Sequence, residues 1–196
     1  MNPQEQHWSG AEGNAYAARN MAGLPAALAL WAEILKRAEV KSAVELGANI
    51  GTNIRAIRQL LPGVQTAGVE INKAAAGMLS RQADEVYEES VLTWEPPKTW
   101  DLAFTRGVLI HIAPNDLPKV YDRLFRASAR YVLVAEYYNP TPISIPYRGQ
   151  ELLLWKRDFA GEMLDIYPLR LVDYGFVWKR AAFAQDDISW FLMEKK

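Results

Sequence analysis

Residues 42–51 read SAVELGANIG, a short apolar run that ends in a turn made of two glycines around an asparagine. The next ten residues, TNIRAIRQLL, carry apolar side chains at helical spacing and stop at Pro62-Gly63. A strand feeding a helix through a tight turn needs a second layer to cover it, which directs the chain toward an α/β architecture. The pattern recurs. QTAGVEIN at 65–72 reads as a second strand and KAAAGMLSRQA at 73–83 as a second helix. A weak strand at 85–87 precedes a strand at 100–107, a helix at 115–128 and a strand at 130–138. Pro140, Pro142 and Pro146 mark an irregular insertion, and Asp158 suits the N-cap of a short helix. LRLVDYGFVW at 169–178 and ISWFLMEK at 188–195 are expected to pair antiparallel across a turn-rich spacer. An alanine-rich stretch at 13–38, interrupted near Gly23-Leu24-Pro25, reads as one or two helices added before the first strand.

With 196 residues, half of them hydrophobic, the chain suits a single domain with a continuous core. The net charge of −1 and the dispersed lysines and arginines show no basic patch for nucleic acid. The absence of cysteine excludes disulfides, thiolate metal sites and cysteine nucleophiles. No apolar run is long enough to cross a bilayer and MNPQEQHWSG does not read as a signal peptide, so a cytoplasmic protein is expected.

The turn itself narrows the chemistry. A dinucleotide fingerprint counted from Gly47 needs glycine at 49 and 52, where Asn49 and Thr52 stand. A phosphate loop fails as well, because no Lys-Ser or Lys-Thr pair follows the glycines. The pattern E-x-G-x-G-x-G keeps Glu45, Gly47 and Gly51, and departs only at Asn49, the least costly non-glycine substitute in left-handed backbone. Glu70, with Ile71 beside it, ends the second strand about 20 residues after the glycine turn, where an acid can accept both hydroxyls of a ribose. This ordered pair of motifs resembles the class I S-adenosylmethionine-dependent methyltransferases.

Further runs resemble one branch of that class. FTRGVLIHI (104–112), LPKVYDRL (117–124), AEYYNPTP (135–142), YRG (147–149), KRDFAGEMLD (156–165), LVDYGFVW (171–178) and QDDISWFLMEK (185–195), with Trp8, Gly10, Tyr16 and Arg19, are similar to the methylases encoded with pseudaminic acid biosynthesis genes. The resemblance implies a seven-stranded, mostly parallel Rossmann-like sheet with helices on both faces and an antiparallel last strand. S-adenosylmethionine is the implied cofactor, bound by Glu45, Gly47, Asn49, Gly51, Glu70, Ile71, Ser90, Val91, Thr105 and Gly107. Val91 and Leu92 read equally as apolar anchors of their loop.

His111 is a candidate base because its ordinary pKa lies near neutrality, and it reads as well as a residue packed at the start of the next helix or over the cofactor. Glu136 and Tyr137 compete for the catalytic role, and burial of Glu136 would raise its pKa. Arg106, Tyr138, Tyr147, Arg148, Lys156 and Arg157 are acceptor-side candidates, joined by Tyr16 and Arg19 from an N-terminal cap of residues 1–40. The insertion at 139–159 is long enough for an acceptor lid whose bases suit a carboxylate or phosphate, or is a structural excursion with solvated charges. NPTP at 139–142 is set aside as an N-P-P-Y signature because it follows the fifth strand. QDD at 185–187 reads as a solvated turn, and no metal is expected. The expected activity is methyl transfer to an oxygen or nitrogen of a small polar acceptor, such as an acidic sugar of the pseudaminic acid type or its nucleotide-activated form. A non-catalytic binder in a sugar pathway and a nicotinamide enzyme are the alternatives.

Overall fold

The computed structural model describes residues 1–146 and 153–196. Three helices precede the first strand: α1 (Pro3–Ser9), α2 (Ala11–Arg19) and, after a 3₁₀ turn at Asn20–Ala22, α3 (Leu24–Ile34). The alternating body follows as β1 (Ser42–Leu46), α4 (Thr52–Leu60), β2 (Gln65–Val69), α5 (Lys73–Leu79), β3 (Glu85–Tyr87), β4 (Trp100–Arg106), α6 (Leu117–Ala127) and β5 (Ser128–Glu136). A two-stranded ribbon, β6 (Ile143–Ser144) and β7 (Trp155–Lys156), leads to α7 (Phe159–Ile166), β8 (Leu169–Val177) and β9 (Ile188–Lys195).

The main sheet has seven strands in the order β3-β2-β1-β4-β5-β9-β8. β3, β2, β1, β4 and β5 are mutually parallel, and β9 runs antiparallel to both β5 and β8. The expected sheet and its antiparallel last strand are therefore present. Alternation along each strand feeds two cores. Val44, Ala103, Val132 and Met193 join α6 and α7 on one face, whereas Ala43, Phe104, Leu133 and Leu192 join α3 and α4 on the other. Burial of both faces explains why these strands read as unbroken apolar runs.

The N-terminal region differs from its sequence reading at two points. Residues 3–9 form a further helix ahead of the stretch at 13–38 in which the helices of the 1–40 cap were placed, because Asn2 and Glu5 make a reciprocal capping box and Pro3 occupies the first turn. α3 is also more than a cap. Trp31 and Ile34 are fully buried in the core against the sheet, with the Trp31 and Phe104 rings packed edge to face at 4.6 Å.

The pairing of β8 with β9 leaves no room at Gly175. A methyl group placed there would lie 2.6–2.7 Å from the Trp190 indole. Gly175→Ala should therefore lower stability by about 1–3 kcal/mol, the usual cost of overpacking. The thermal midpoint should fall by roughly 2–4 °C per kcal/mol for a chain of this size. An unchanged midpoint would show that the indole does not lie against this strand.

Candidate active site

The parallel strands end at one edge of the sheet, and the β1–α4 turn opens there, where an open α/β sheet places its binding crevice. Gly47, Asn49 and Gly51 have φ of 77°, 49° and 81°, so all three occupy left-handed backbone. Asparagine tolerates that conformation better than other residues with a Cβ, which is why the departure at 49 leaves the turn intact. Gly47 is also needed for space, because a Cβ there would meet the Val108 side chain at 2.5 Å.

The Glu70 carboxylate organises this turn. Oε2 accepts from the Asn49 amide at 2.7 Å and Oε1 from the Asn72 amide at 2.7 Å. Burial raises the Glu70 pKa, and the amide hydrogen bonds from Asn72, Asn49 and Ile71 oppose that shift. Asn72 then caps α5 by accepting from the Ala75 amide at 2.9 Å, and its Nδ2 donates to Asn14 Oδ1 at 2.9 Å. The N-terminal helices are thereby tied to the glycine turn.

A cavity of about 300 Å³ lies above this edge. Glu45, Gly47, Asn49, Glu70 and Ile71 form its floor, and Ser90, Val91 and Leu92 one wall. Ser90 is buried, and its Oγ accepts from the Leu92 amide at 3.1 Å, which fixes the loop. Arg106, Gly107, Val108 and His111 form another wall, and Trp8 and Tyr16 reach it from the N-terminal helices. The Trp8 ring lies 4.5 Å from that of His111 and edge-on to Tyr16 at 5.4 Å. Gly51 and Thr105 support the wall without lining it, and Thr105 is fully buried in β4.

Glu45 is 1 % exposed. Its Oε1 accepts from Asn53 Nδ2 at 2.6 Å, and Asn53 Oδ1 accepts from Trp31 Nε1 at 3.2 Å. Glu45 Oε2 is buried and, among the described residues, has no hydrogen-bond partner. Desolvation pushes its pKa up to about 8, opposed by the Asn53 hydrogen bond and the Arg106 charge. A buried acid with one unsatisfied oxygen on a cavity wall is open to a polar group of a bound ligand, as donor when protonated and as acceptor when ionised.

His111 sits in the 3₁₀ turn Leu109–His111. Its Nδ1 lies 2.8 Å from the Leu153 carbonyl, which can only accept, so Nδ1 carries the proton and Nε2 is the acceptor nitrogen. Burial holds the His111 pKa down at about 4, leaving the ring neutral at pH 7 but weakly basic. Glu136 is not on the cavity wall. Its carboxylate accepts from the amides of Val108, Leu109 and Ile110 at 3.0, 3.1 and 3.4 Å and so holds the loop that carries His111. Burial raises its pKa to about 7. An internal acceptor of three amides is engaged in building the site rather than facing an acceptor molecule.

The remaining expected residues separate. Arg106 lines the cavity, with Nε and Nη2 donating to Gln185 Oε1 at 3.0 and 2.8 Å. Lys156 lies over the Tyr137 ring at 5.2 Å, and Arg157 pairs with Glu162 at 2.7 Å. Arg19 pairs with Glu12 at 2.7 Å, and Tyr138 packs beside Phe191. Of Arg106, Lys156, Tyr137, Arg157, Arg19 and Tyr138, only Arg106 lines the cavity. Lys156 and Arg157, two of the bases expected to face an anionic acceptor, are engaged by a ring and a carboxylate within the fold. Tyr147 and Arg148 lie outside the described residues. Sequence reading missed Gln185, which was expected in a solvated turn and is in fact 5 % exposed. It also missed Asn53 and Asn72. An asparagine directly before KAAAGML was a readable N-cap signal, whereas nothing local marks Gln185 or Asn53.

A sheet of this order, with a left-handed glycine turn after its first strand and an acid after its second, has the fold of S-adenosylmethionine-dependent class I methyltransferases. The chain is similar to magnesium protoporphyrin IX methyltransferase from Synechocystis, solved with S-adenosylmethionine, at TM-score 0.70 and 10 % identity over 100 % of this chain and 99 % of that one. It is also similar to the 1,6-didemethyltoxoflavin N1-methyltransferase of Burkholderia thailandensis, at TM-score 0.72 and 16 % identity over 98 % and 87 %. An O-methyltransferase from a polyketide synthase multienzyme of Brevibacillus brevis, solved with S-adenosylhomocysteine, matches at TM-score 0.66 and 16 % identity over 93 % and 75 %. No family model and no curated protein matches the sequence. The shared feature is therefore the fold, and the pseudaminic acid branch gains no support from these relatives.

The buried acids give a pH signature. Glu45 and Glu136 have folded pKa values of about 8 and 7, above the ordinary carboxylate value. Their stabilising contribution is complete below the unfolded pKa and is lost as pH rises through the folded one. His111, with its depressed pKa, has the opposite sign, but its window lies between about 4 and 6.5. From pH 6.5 to 9 the thermal midpoint should fall, and Glu45→Gln should flatten that fall. Equal slopes in parent and variant would remove Glu45 from the titration.

Proposed function

We propose that the protein transfers a methyl group from S-adenosylmethionine to an oxygen or nitrogen of a small polar metabolite. The observation that carries this reading is the left-handed Gly47–Asn49–Gly51 turn clasped by Glu70 at the floor of the cavity. The fold likeness and the ligands solved in its relatives support the same reading. When bound, the cofactor supplies a sulfonium-activated methyl group.

The chain's own residues fit it in parts. Glu70 retains acceptor capacity for ribose hydroxyls beyond the backbone amides it already accepts. Val91 and Leu92 offer apolar surface for a purine, and Gly47 and Gly107 allow close backbone approach. Trp8, Tyr16 and His111 wall off the opposite side and exclude water, so positioning and desolvation supply much of the catalysis. Neutral His111 orients an acceptor hydroxyl or amine through Nε2, and its low basicity suits a hydrogen-bonding role more than full proton removal. We assign Leu153 to the acceptor side through its carbonyl, which fixes the His111 tautomer.

With Glu70 given to the ribose and Glu45 neutral at its raised pKa of about 8, an acidic sugar of the pseudaminic acid type would meet one described lysine or arginine on the cavity wall, Arg106, beside the acids Glu5 and Asp186. That balance favours neutral or amine acceptors over acidic ones.

Calorimetry should show binding of S-adenosylmethionine or S-adenosylhomocysteine and none of NAD, and the reverse result would overturn the proposal. Glu70→Ala should weaken cofactor binding by about 1.5–3 kcal/mol. A methyl-transfer panel of pseudaminic acid, its nucleotide-activated form, neutral sugars and small amines then identifies the acceptor. Preferential methylation of the acidic sugar would contradict the preference for neutral or amine acceptors.

A further inference from the structure

We infer that the outer edge of β8 is a self-association surface, on which residues 173–179 pair antiparallel with the same segment of a second copy of this chain about a two-fold axis at Phe176. The inference stands apart from the methyl-transfer reading.

β8 is the last strand of the main sheet. Its inner side bonds to β9, and among the described residues no strand bonds to its outer side. Such an edge presents a row of backbone donors and acceptors that another extended chain can complete. The register shift between Leu171 and Asp173 falls before the segment, so the ladder from Asp173 to Val177 is regular. Tyr174, Phe176 and Trp178 recur at every second residue, the spacing that puts side chains on one face of a strand. On that face the Tyr174 ring stacks on Phe191 at 6.1 Å. The three aromatic residues are 65, 59 and 51 % exposed. Single exposed apolar side chains are ordinary, whereas three aromatic rings in a row on an open strand make a contiguous patch.

The segment itself, DYGFVWK, says what covers it. Turned about Phe176, it sets Asp173 opposite Lys179, Tyr174 opposite Trp178, Gly175 opposite Val177 and Phe176 opposite itself. Aromatic residues meet aromatic residues on one face and unlike charges meet on the other, the pairs that stabilise antiparallel strands. Moving the axis to Gly175 sets Asp173 against Val177, and moving it to Val177 sets Asp173 against Ala181. Either shift leaves both charges unmatched. An edge defended against pairing carries like charges or proline, and this one carries a charge of each sign, one at either end. Both charges have capacity for a further partner. Lys179 is exposed, with its Nζ 3.6 Å from Asp187. Asp173 holds Arg37 at 2.7 Å and accepts from the Tyr174 amide, which leaves lone pairs on its carboxylate.

Residues 173–179 of two copies make an interface below the standard range of about 1,200–2,000 Å², so the dimer should be concentration-dependent and not permanent. Sedimentation equilibrium of the full chain between about 1 and 200 µM should show monomer and dimer in exchange with a micromolar Kd. Phe176→Lys brings like charges face to face on the axis and should leave a monomer throughout that range. Its thermal midpoint should match the parent's, because Phe176 is exposed. Lys179→Asp should raise the Kd by about 5–30-fold, and adding Asp173→Lys should recover most of that loss.

Because the chain has no cysteine, introduced thiols report the register directly. Under mild oxidation Phe176→Cys should link to itself between copies, and Tyr174→Cys should link to Trp178→Cys in a mixture but not to itself. These cross-links decide the register even if Phe176→Lys lowers the midpoint. A parent that stays monomeric, a dimer that survives Phe176→Lys, or self-linking of Tyr174→Cys would overturn the inference.

Discussion

The Glu70 carboxylate, shared between the amides of Asn49 and Asn72, is the contact on which the rest of the site depends. One oxygen holds the β1–α4 turn in its left-handed course, and the other sets the start of α5. Asn72 passes the constraint on to the N-terminal helices through Asn14, and a Cβ at Gly13 would lie 2.8 Å from the side-chain Nδ2 of Asn72. Floor and cover of the cavity are thus fastened to one strand end. A carboxylate held by backbone amides is preorganised, so little rearrangement is needed when a ligand arrives.

Three buried acids surround the crevice, and each meets its desolvation cost differently. Glu136 is satisfied internally by the amides of Val108, Leu109 and Ile110. Glu70 is satisfied by the turns it binds, with acceptor capacity to spare. Glu45 alone keeps a buried oxygen with no partner among the described residues. Burying such an atom without a partner costs stability. The order of satisfaction, complete at Glu136 and incomplete at Glu45, separates the residue that builds the loop from the one with an unsatisfied oxygen at the cavity.

The fold was legible because its signals are local and repeated. The strand and helix rhythm from residue 42 to 136, the closing pair at 169–177 and 188–195, and the Asp158 cap all follow from apolar periodicity and turn chemistry. The left-handed turn was legible because glycine and asparagine mark that backbone. The further helix at 3–9 carried a local signal too, the Asn2 and Glu5 capping box. The site was less legible. Lys156 and Arg157 looked like acceptor bases in a lid, yet a ring and a carboxylate from neighbouring segments engage them. Gln185 looked like part of a solvated turn, yet the approach of β4 and α3 buries it.

Sequence by itself determined the α/β architecture, the glycine turn and the acid that follows the second strand, because each is written in neighbouring residues within the reach of a turn or a strand. Tertiary structure decided which charges face the cavity. That outcome depends on contacts 28 residues apart in the case of Glu136 and Val108, and 79 apart for Arg106 and Gln185. Local pattern cannot encode such pairs, since a side chain's partner is chosen by how the sheet brings its strand ends together. Arg106 became a cavity residue, and Lys156 and Arg157 did not, because β4 ends at the crevice while the other two sit where a ring or a carboxylate already meets them.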